Sequence, residues 1–126
     1  MPFHRLEVYQ RAYRLALEVH KITLAFPAIE QYGLGAQMRD SSKSIPVNIA
    51  EGMGKQESPR DVIRFVRIAI GSCDETRVHL DFAKDLGYLA AAKHADLDDR
   101  YCEVGRMLTG LRKRWQTKRD QPPSVL

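Results

Sequence analysis

The stretch Leu97-Asp98-Asp99-Arg100-Tyr101-Cys102-Glu103-Val104-Gly105-Arg106-Met107-Leu108-Thr109-Gly110-Leu111-Arg112-Lys113-Arg114-Trp115 puts a large apolar side chain at positions 97, 101, 104, 108, 111 and 115. Steps of four and three alternate without error, the repeat of one helix face sunk in a core; a strand would repeat every second residue. The intervening positions are mostly charged or small. One long amphipathic helix is expected here, and other elements must cover its seam.

Upstream, Leu86-Gly87-Tyr88-Leu89 makes a tight turn into this helix, with Gly87 in the left-handed conformation that closes the helix before it. That helix begins at Ser58-Pro59-Arg60-Asp61, a serine cap, proline at the first helical position and an acid three residues on. Its inward seam is expected at Val62, Phe65 or Val66, Ala69, Cys73, Thr76, Leu80 and Ala83. Further back, Leu34, Met38, Ile45, Ile49 and Met53 share one side of a helix that Gly52 and Gly54 end. Pro46 should kink it, because proline donates no backbone hydrogen and clashes with the carbonyl of Ser42. The first helix, from Leu6 to Phe26, carries two apolar stripes, one through Leu6, Tyr9, Tyr13, Ala16 and Thr23, the other through Val8, Ala12, Leu15, Val19 and Ile22. A bundle core needs only one stripe, so the second implies either a very wide core face or another subunit. Pro27 stops this helix, and Gln31-Tyr32-Gly33 forms a loop.

Four helices of similar length, short first and last loops and no strand pattern give an all-α, antiparallel up-down-up-down four-helix bundle with a kinked second helix, spanning residues 1–120. Residues 121–126, with Pro122 and Pro123, are expected to be a flexible tail.

At 126 residues the chain fits one domain that can build a core without disulfides or metals. Cys73 and Cys102 lie far apart, and neither a signal peptide nor a long apolar run is present, so a cytoplasmic protein with reduced thiols and no membrane partner is expected. The net charge of +4 is mild, but its placement is not even. Acids outnumber bases between Asp74 and Glu103, whereas Arg106, Arg112, Lys113, Arg114, Lys118 and Arg119 follow with no acid among them. An acid-binding surface belongs near the C-terminus.

Each enzyme reading lacks a necessary piece. A di-iron bundle needs two Glu-x-x-His pairs, and Glu75 and His79 are four apart and alone, which fits a surface pair. Zinc needs clustered Cys and His, and neither cysteine has such company. Gly52-Met53-Gly54-Lys55 fails the phosphate-loop pattern twice, in glycine spacing and in Gln56 after the lysine. Gly33 and Gly35 give half a dinucleotide fingerprint without a preceding strand. Ser41, Ser42, Lys43 and Ser44 lack the Ser-x-x-Lys spacing. No catalytic residue, cofactor or metal ligand is assigned.

The segment from Ser44 to Gly52 sets polar residues beside the proline. Asn48 and Glu51, three apart, share a face. In one reading Asn48 or a nearby serine satisfies backbone groups freed by Pro46, while Glu51 pairs with an arginine of another helix or subunit. In the other the pair lines a ligand pocket. Gly71-Ser72 reads as a close helix approach.

Tyr32-Gly33-Leu34, Gln37-Met38-Arg39, Ser44-Ile45-Pro46, Asn48-Ile49-Ala50-Glu51-Gly52, Gly71-Ser72 and Leu86-Gly87-Tyr88-Leu89 together resemble the bacterial four-helix bundle family encoded in intervening sequences of 23S ribosomal RNA genes, from Phe3 to about Leu111. The resemblance implies a four-helix protomer, a homopentamer and no established catalytic activity, with Arg39, Ser44, Pro46, Asn48 and Glu51 as the polar motif. More distantly, that family resembles the accessory protein of diversity-generating retroelements, a basic pentameric bundle that binds a reverse transcriptase and nucleic acid. This chain departs from the pattern at Asp40 and at Gly54-Lys55, where arginines are usual. Both changes lower positive charge around the second helix and shift attention to the C-terminal cluster.

Two functions from different classes follow, beside a third, a small-molecule enzyme or ligand-binding bundle, that would require a converging pocket near Asn48 and Glu51. The first is a non-catalytic oligomer whose repeated basic ends, Arg112, Lys113, Arg114, Lys118 and Arg119, hold RNA or DNA; the plain counter-reading of those residues is a solvated helix end that complements the helix dipole. The second is a protein adaptor that docks a partner on the spare apolar stripe or on the acidic third helix.

Overall fold

All six apolar residues of the 97–115 seam are buried. The computed structural model describes residues 2–122 and forms four helices: α1 (Glu7–Leu24), α2 (Leu34–Met53), α3 (Pro59–Asp85) and α4 (Ala91–Asp120). Each packs against its neighbours in the order α1, α2, α3, α4 and back to α1. Side-chain contacts give the directions. Ser44 meets Ser72 and Ser41 meets Thr76, while Cys73, Arg77 and Asp81 meet Tyr101, Asp98 and His94 in turn. In both pairs the number rises on one helix as it falls on the other, so α2/α3 and α3/α4 are antiparallel.

The boundaries follow local chemistry. The Ser58 side chain accepts from the Asp61 backbone N–H at 3.3 Å with Pro59 leading α3, and Gly87 has φ +83° at its far end. On α3, Val66 takes the core position and Phe65 is half-buried, and Ile63 joins the core. α2 runs as one helix through the buried Pro46.

The helices are not of similar length. α1 and α2 have 18 and 20 residues, α3 and α4 have 27 and 30. Two short irregular segments pack against the shorter pair. A 3₁₀ turn at Phe3–Arg5 lays Phe3 edge-on to Tyr9, and a second at Ala28–Glu30 brings Glu30 to the Tyr88 hydroxyl at 3.0 Å, with Phe26 buried against the Tyr88 ring. Of the tail expected at 121–126, positions 123–126 lie outside the described residues.

The close helix approach is not at Gly71. That glycine is exposed, and a β-carbon there would meet nothing within 4 Å. It lies two residues before the core residue Cys73, hence on the opposite side of α3. Gly52 makes the approach instead: a β-carbon on it would stand 3.2 Å from Phe65 Cβ across α2/α3.

α1 and α4 share the sparsest backbone contact of the four seams, and an ion-pair clamp joins them. Glu18 on α1 accepts from both terminal nitrogens of Arg100, and Lys93 lies 3.4 Å from it. The hydrogen bonds from Arg100 hold the Glu18 carboxyl below its ordinary pKa against the opposing effect of burial.

Candidate functional site

The polar motif of α2 resolves into two separate devices. Arg39 straps three segments together: one terminal nitrogen donates to Thr23 Oγ1 at 2.9 Å, the other to the Gln31 carbonyl. Thr23 is fully buried and Gln31 in turn donates to the carbonyls of Thr23 and Phe26, so this arginine closes the α1–α2 connection. One turn on, Asn48 donates to the Ser44 carbonyl at 2.7 Å and to Ser44 Oγ at 2.9 Å, and Ser44 Oγ lies 2.8 Å from Ser72 Oγ on α3. The amide of Asn48 thus serves Ser44, not Ser42, whose carbonyl the proline frees. Ser72 earns its place in the sequence motif here, as a cross-helix partner.

Glu51 belongs to neither device. It is exposed, and among the described residues no arginine of the chain pairs with it. Instead it borders an apolar groove of about 640 Å³ between α1 and α2, lined by Tyr9, Tyr13, Leu17, Pro46 and Val47 and rimmed by Lys43 and Lys55. Tyr13, Leu17 and Val47 are 48%, 47% and 57% exposed. The stripe Val8, Ala12, Leu15 and Val19 is thus sunk in the core, whereas the stripe through Tyr9 and Tyr13 is uncovered at Tyr13 and buried at Ala16 and Thr23, and Leu17, outside both expected stripes, widens the open surface.

The five basic residues of α4 are not gathered on one face. Arg112 is half-buried, with its Nε shielded from solvent and unbonded. Lys113 is exposed and borders a trough between α3 and α4 whose floor includes Gly105 and Gly110. Lys118 holds its ammonium 4.3 Å from the centre of the Trp115 ring, and Arg119 pairs with Asp120 at 2.9 Å. Arg119 also edges a cleft of about 1010 Å³ that it shares with Arg60, Arg64 and Arg67 of α3. These three arginines were missing from the sequence reading. Their spacing of four and three on the outward face was visible, but the apolar seam beside them drew the interpretation.

Antiparallel pairing adds the charge gradients of α3 and α4. The arginine-bearing start of α3 lies beside the basic end of α4, while Asp74, Glu75, Asp81 and Asp85 lie toward the end that holds Asp96, Asp98 and Asp99. Among the described residues no cluster of three or more His, Cys, Asp or Glu side chains could hold a metal ion, and no helix is long and apolar enough to cross a membrane.

Comparison with known proteins agrees with this architecture. A crystal structure of a protein with unknown function from the S23 ribosomal protein family of Bacteroides thetaiotaomicron VPI-5482 superposes with a TM-score of 0.75 at 21% identity, covering 84% of this chain and 98% of that one. At that identity the likeness is one of fold. No curated protein matches. The sequence of residues 4–110 matches the 23S rRNA-intervening sequence protein family, a span that holds all of α1, α2 and α3, the Arg39 strap and the Ser44–Ser72 bridge. The chain belongs to the 23S rRNA-intervening sequence protein family.

Proposed function

We propose that this protein is a non-catalytic scaffold that assembles into a homopentamer and presents the basic ends of α4 to RNA or DNA. The observation that carries the reading is the α1/α2 groove, where three large apolar side chains stand about half in water. A continuous patch of that kind is costly to leave open on a monomer. The chain also offers a complement. The outer face of α3 exposes Val78 and Phe82 beside Asp74, Glu75, Asp81 and Asp85, opposite in charge to Lys43 and Lys55 on the groove rim. Groove and strip are different surfaces, so their contact is head-to-tail, the kind that makes a ring when the rotation from copy to copy closes. A ring repeats weak phosphate contacts, which raises avidity without a dedicated motif. Both cysteines are free, in keeping with a role in the reducing cytoplasm.

Light scattering tests the assembly. The expected particle is a homopentamer of the 14.4 kDa protomer, and a stable monomer overturns the reading. Val47→Asp and Phe82→Asp should each abolish the ring. Mixed, they should form a discrete dimer, because each retains one intact half of the contact.

The groove equally suits a protein adaptor. Pull-down after nuclease treatment separates the two: a directly docked protein survives, and an RNA-bridged one is lost.

A further inference from the structure

We infer that the cleft between the start of α3 and the end of α4, built by Arg60, Arg64, Arg67 and Arg119, is a seat for the sugar-phosphate backbone of base-paired nucleic acid. The inference rests on the nucleic-acid reading above and moves its centre from α4 to α3. Arg60, Arg64 and Arg67 recur at four and three residues, so they fall within one narrow face of α3 and span about 10.5 Å along its axis. A duplex presents about three phosphates per strand over that length. Arg119 closes the cleft from the neighbouring helix.

These guanidinium groups are only lightly engaged within the chain. Among the described residues Arg60 and Arg67 make no ion pair, and Arg64 reaches Asp61 at 4.0 Å while lying 4.5 Å from the centre of the Phe65 ring. Arg119 alone has a close carboxylate, that of Asp120. Four arginines thus face two carboxylates, Asp61 and Asp120. Arginine suits the task because its planar donors match phosphate oxygens in pairs.

The other lining residues decide the class of nucleic acid. Ser58, Asp61, Ile63 and Ile68 complete the cleft, and among the described residues no aromatic side chain lines it. Proteins that hold single strands without sequence preference stack bases on aromatic rings, and this cleft offers none. It offers paired donors for a backbone and no aromatic platform for a base.

The test is fluorescence anisotropy with a labelled 20-base-pair RNA duplex, a DNA duplex of the same length and a 20-nucleotide oligouridine, each titrated across salt. Arg60→Ala with Arg67→Ala should weaken duplex binding at least tenfold and lower the slope of log affinity against log salt by about 1.8, the loss of two phosphate contacts. Both residues are exposed, so the variant should retain wild-type helicity. Arg60→Lys with Arg67→Lys should restore most of the slope. If that alanine pair binds like wild type while Lys113→Ala, Arg114→Ala and Lys118→Ala together abolish binding, the α3 seat is overturned and the nucleic-acid reading stands. Tighter binding of oligouridine than of either duplex overturns the base-paired assignment. Failure of the wild type to bind any of the three overturns both.

Discussion

The hydroxyl of Thr76 on α3 lies 2.8 Å from Ser41 Oγ on α2, with Thr76 fully buried and Ser41 nearly so. Its one proton is shared with the Ser72 carbonyl, also 2.8 Å away. Removing either side chain takes one partner from the other inside a dry seam, where Thr76 keeps the Ser72 carbonyl and Ser41 keeps the Met38 carbonyl at 3.4 Å. Thr76→Val and Ser41→Ala should each cost about 0.5–1.5 kcal/mol in urea unfolding, and the double variant should cost less than both together. Strict additivity would mean that the hydroxyls do not interact.

Tyr101 buries its ring completely, and its hydroxyl has no hydrogen-bond partner among the described residues. Burial drives its pKa upward, with the nearby Cys73 adding to the effect. Tyr101→Phe keeps the packing and removes the stranded group. The variant should unfold at an equal or higher urea concentration, with a gain of up to about 1 kcal/mol.

The two thiols should differ in reactivity. Desolvation, reinforced by Asp74, pushes Cys73 up to about 12, and its Sγ donates to the Tyr101 carbonyl at 3.3 Å. Cys102 is only half-buried. A chromogenic disulfide at pH 8 should titrate Cys102 in the native protein and Cys73 only after denaturation. The folded state holds the Cys73 proton more tightly than the unfolded state does, so its contribution to stability is full below the ordinary thiol pKa near 9 and falls as pH rises toward 12.

Acid should loosen the α1–α4 seam. The folded pKa of Glu18 lies below its unfolded value, so its contribution is present above the usual carboxylate range and is lost as pH falls through the folded value. Stability should decline below about pH 4.3, and Glu18→Gln should be weaker than wild type at pH 7 with the gap closing in acid. The pair is partly exposed, so added salt should shrink the effect.

Three glycines give opposite expectations. A β-carbon on Gly35 would stand 2.8 Å from the Glu30 carbonyl oxygen, and one on Gly52 would press on Phe65 at 3.2 Å. Gly35→Ala should lower the melting temperature, and Gly52→Ala should do so by less. Gly71→Ala should raise the stability of the protomer by about 0.5–1 kcal/mol, because alanine favours the helix and meets no neighbour there.

The α4 seam was legible because every member belongs to one helix and its repeat is unbroken. The start of α3 was legible for a similar reason, since cap, proline and acid act within four residues. Phe65 and Val66 could not be separated, because adjacent residues lie only about 100° apart and both fit the seam. Arg39 could be picked out but not explained: its partners, Thr23 and Gln31, come from other segments that only the fold brings together. The α3 arginines become a cleft only when Arg119 arrives from the far end of the chain. Gly71 and Ser72 are neighbours in the chain but point in different directions, one to open space and the other to Ser44 on α2, so a single reading of the pair does not fit both.

The lopsided charge gives the α3/α4 pair a lengthwise dipole. In the field of a polyanion such a body turns before it touches, arriving arginine end first, so much of the orientational search is finished during the approach. Dissolving the gradient by exchanging charges between the two ends, with the total unchanged, would slow arrival while leaving the rate of departure nearly as it was.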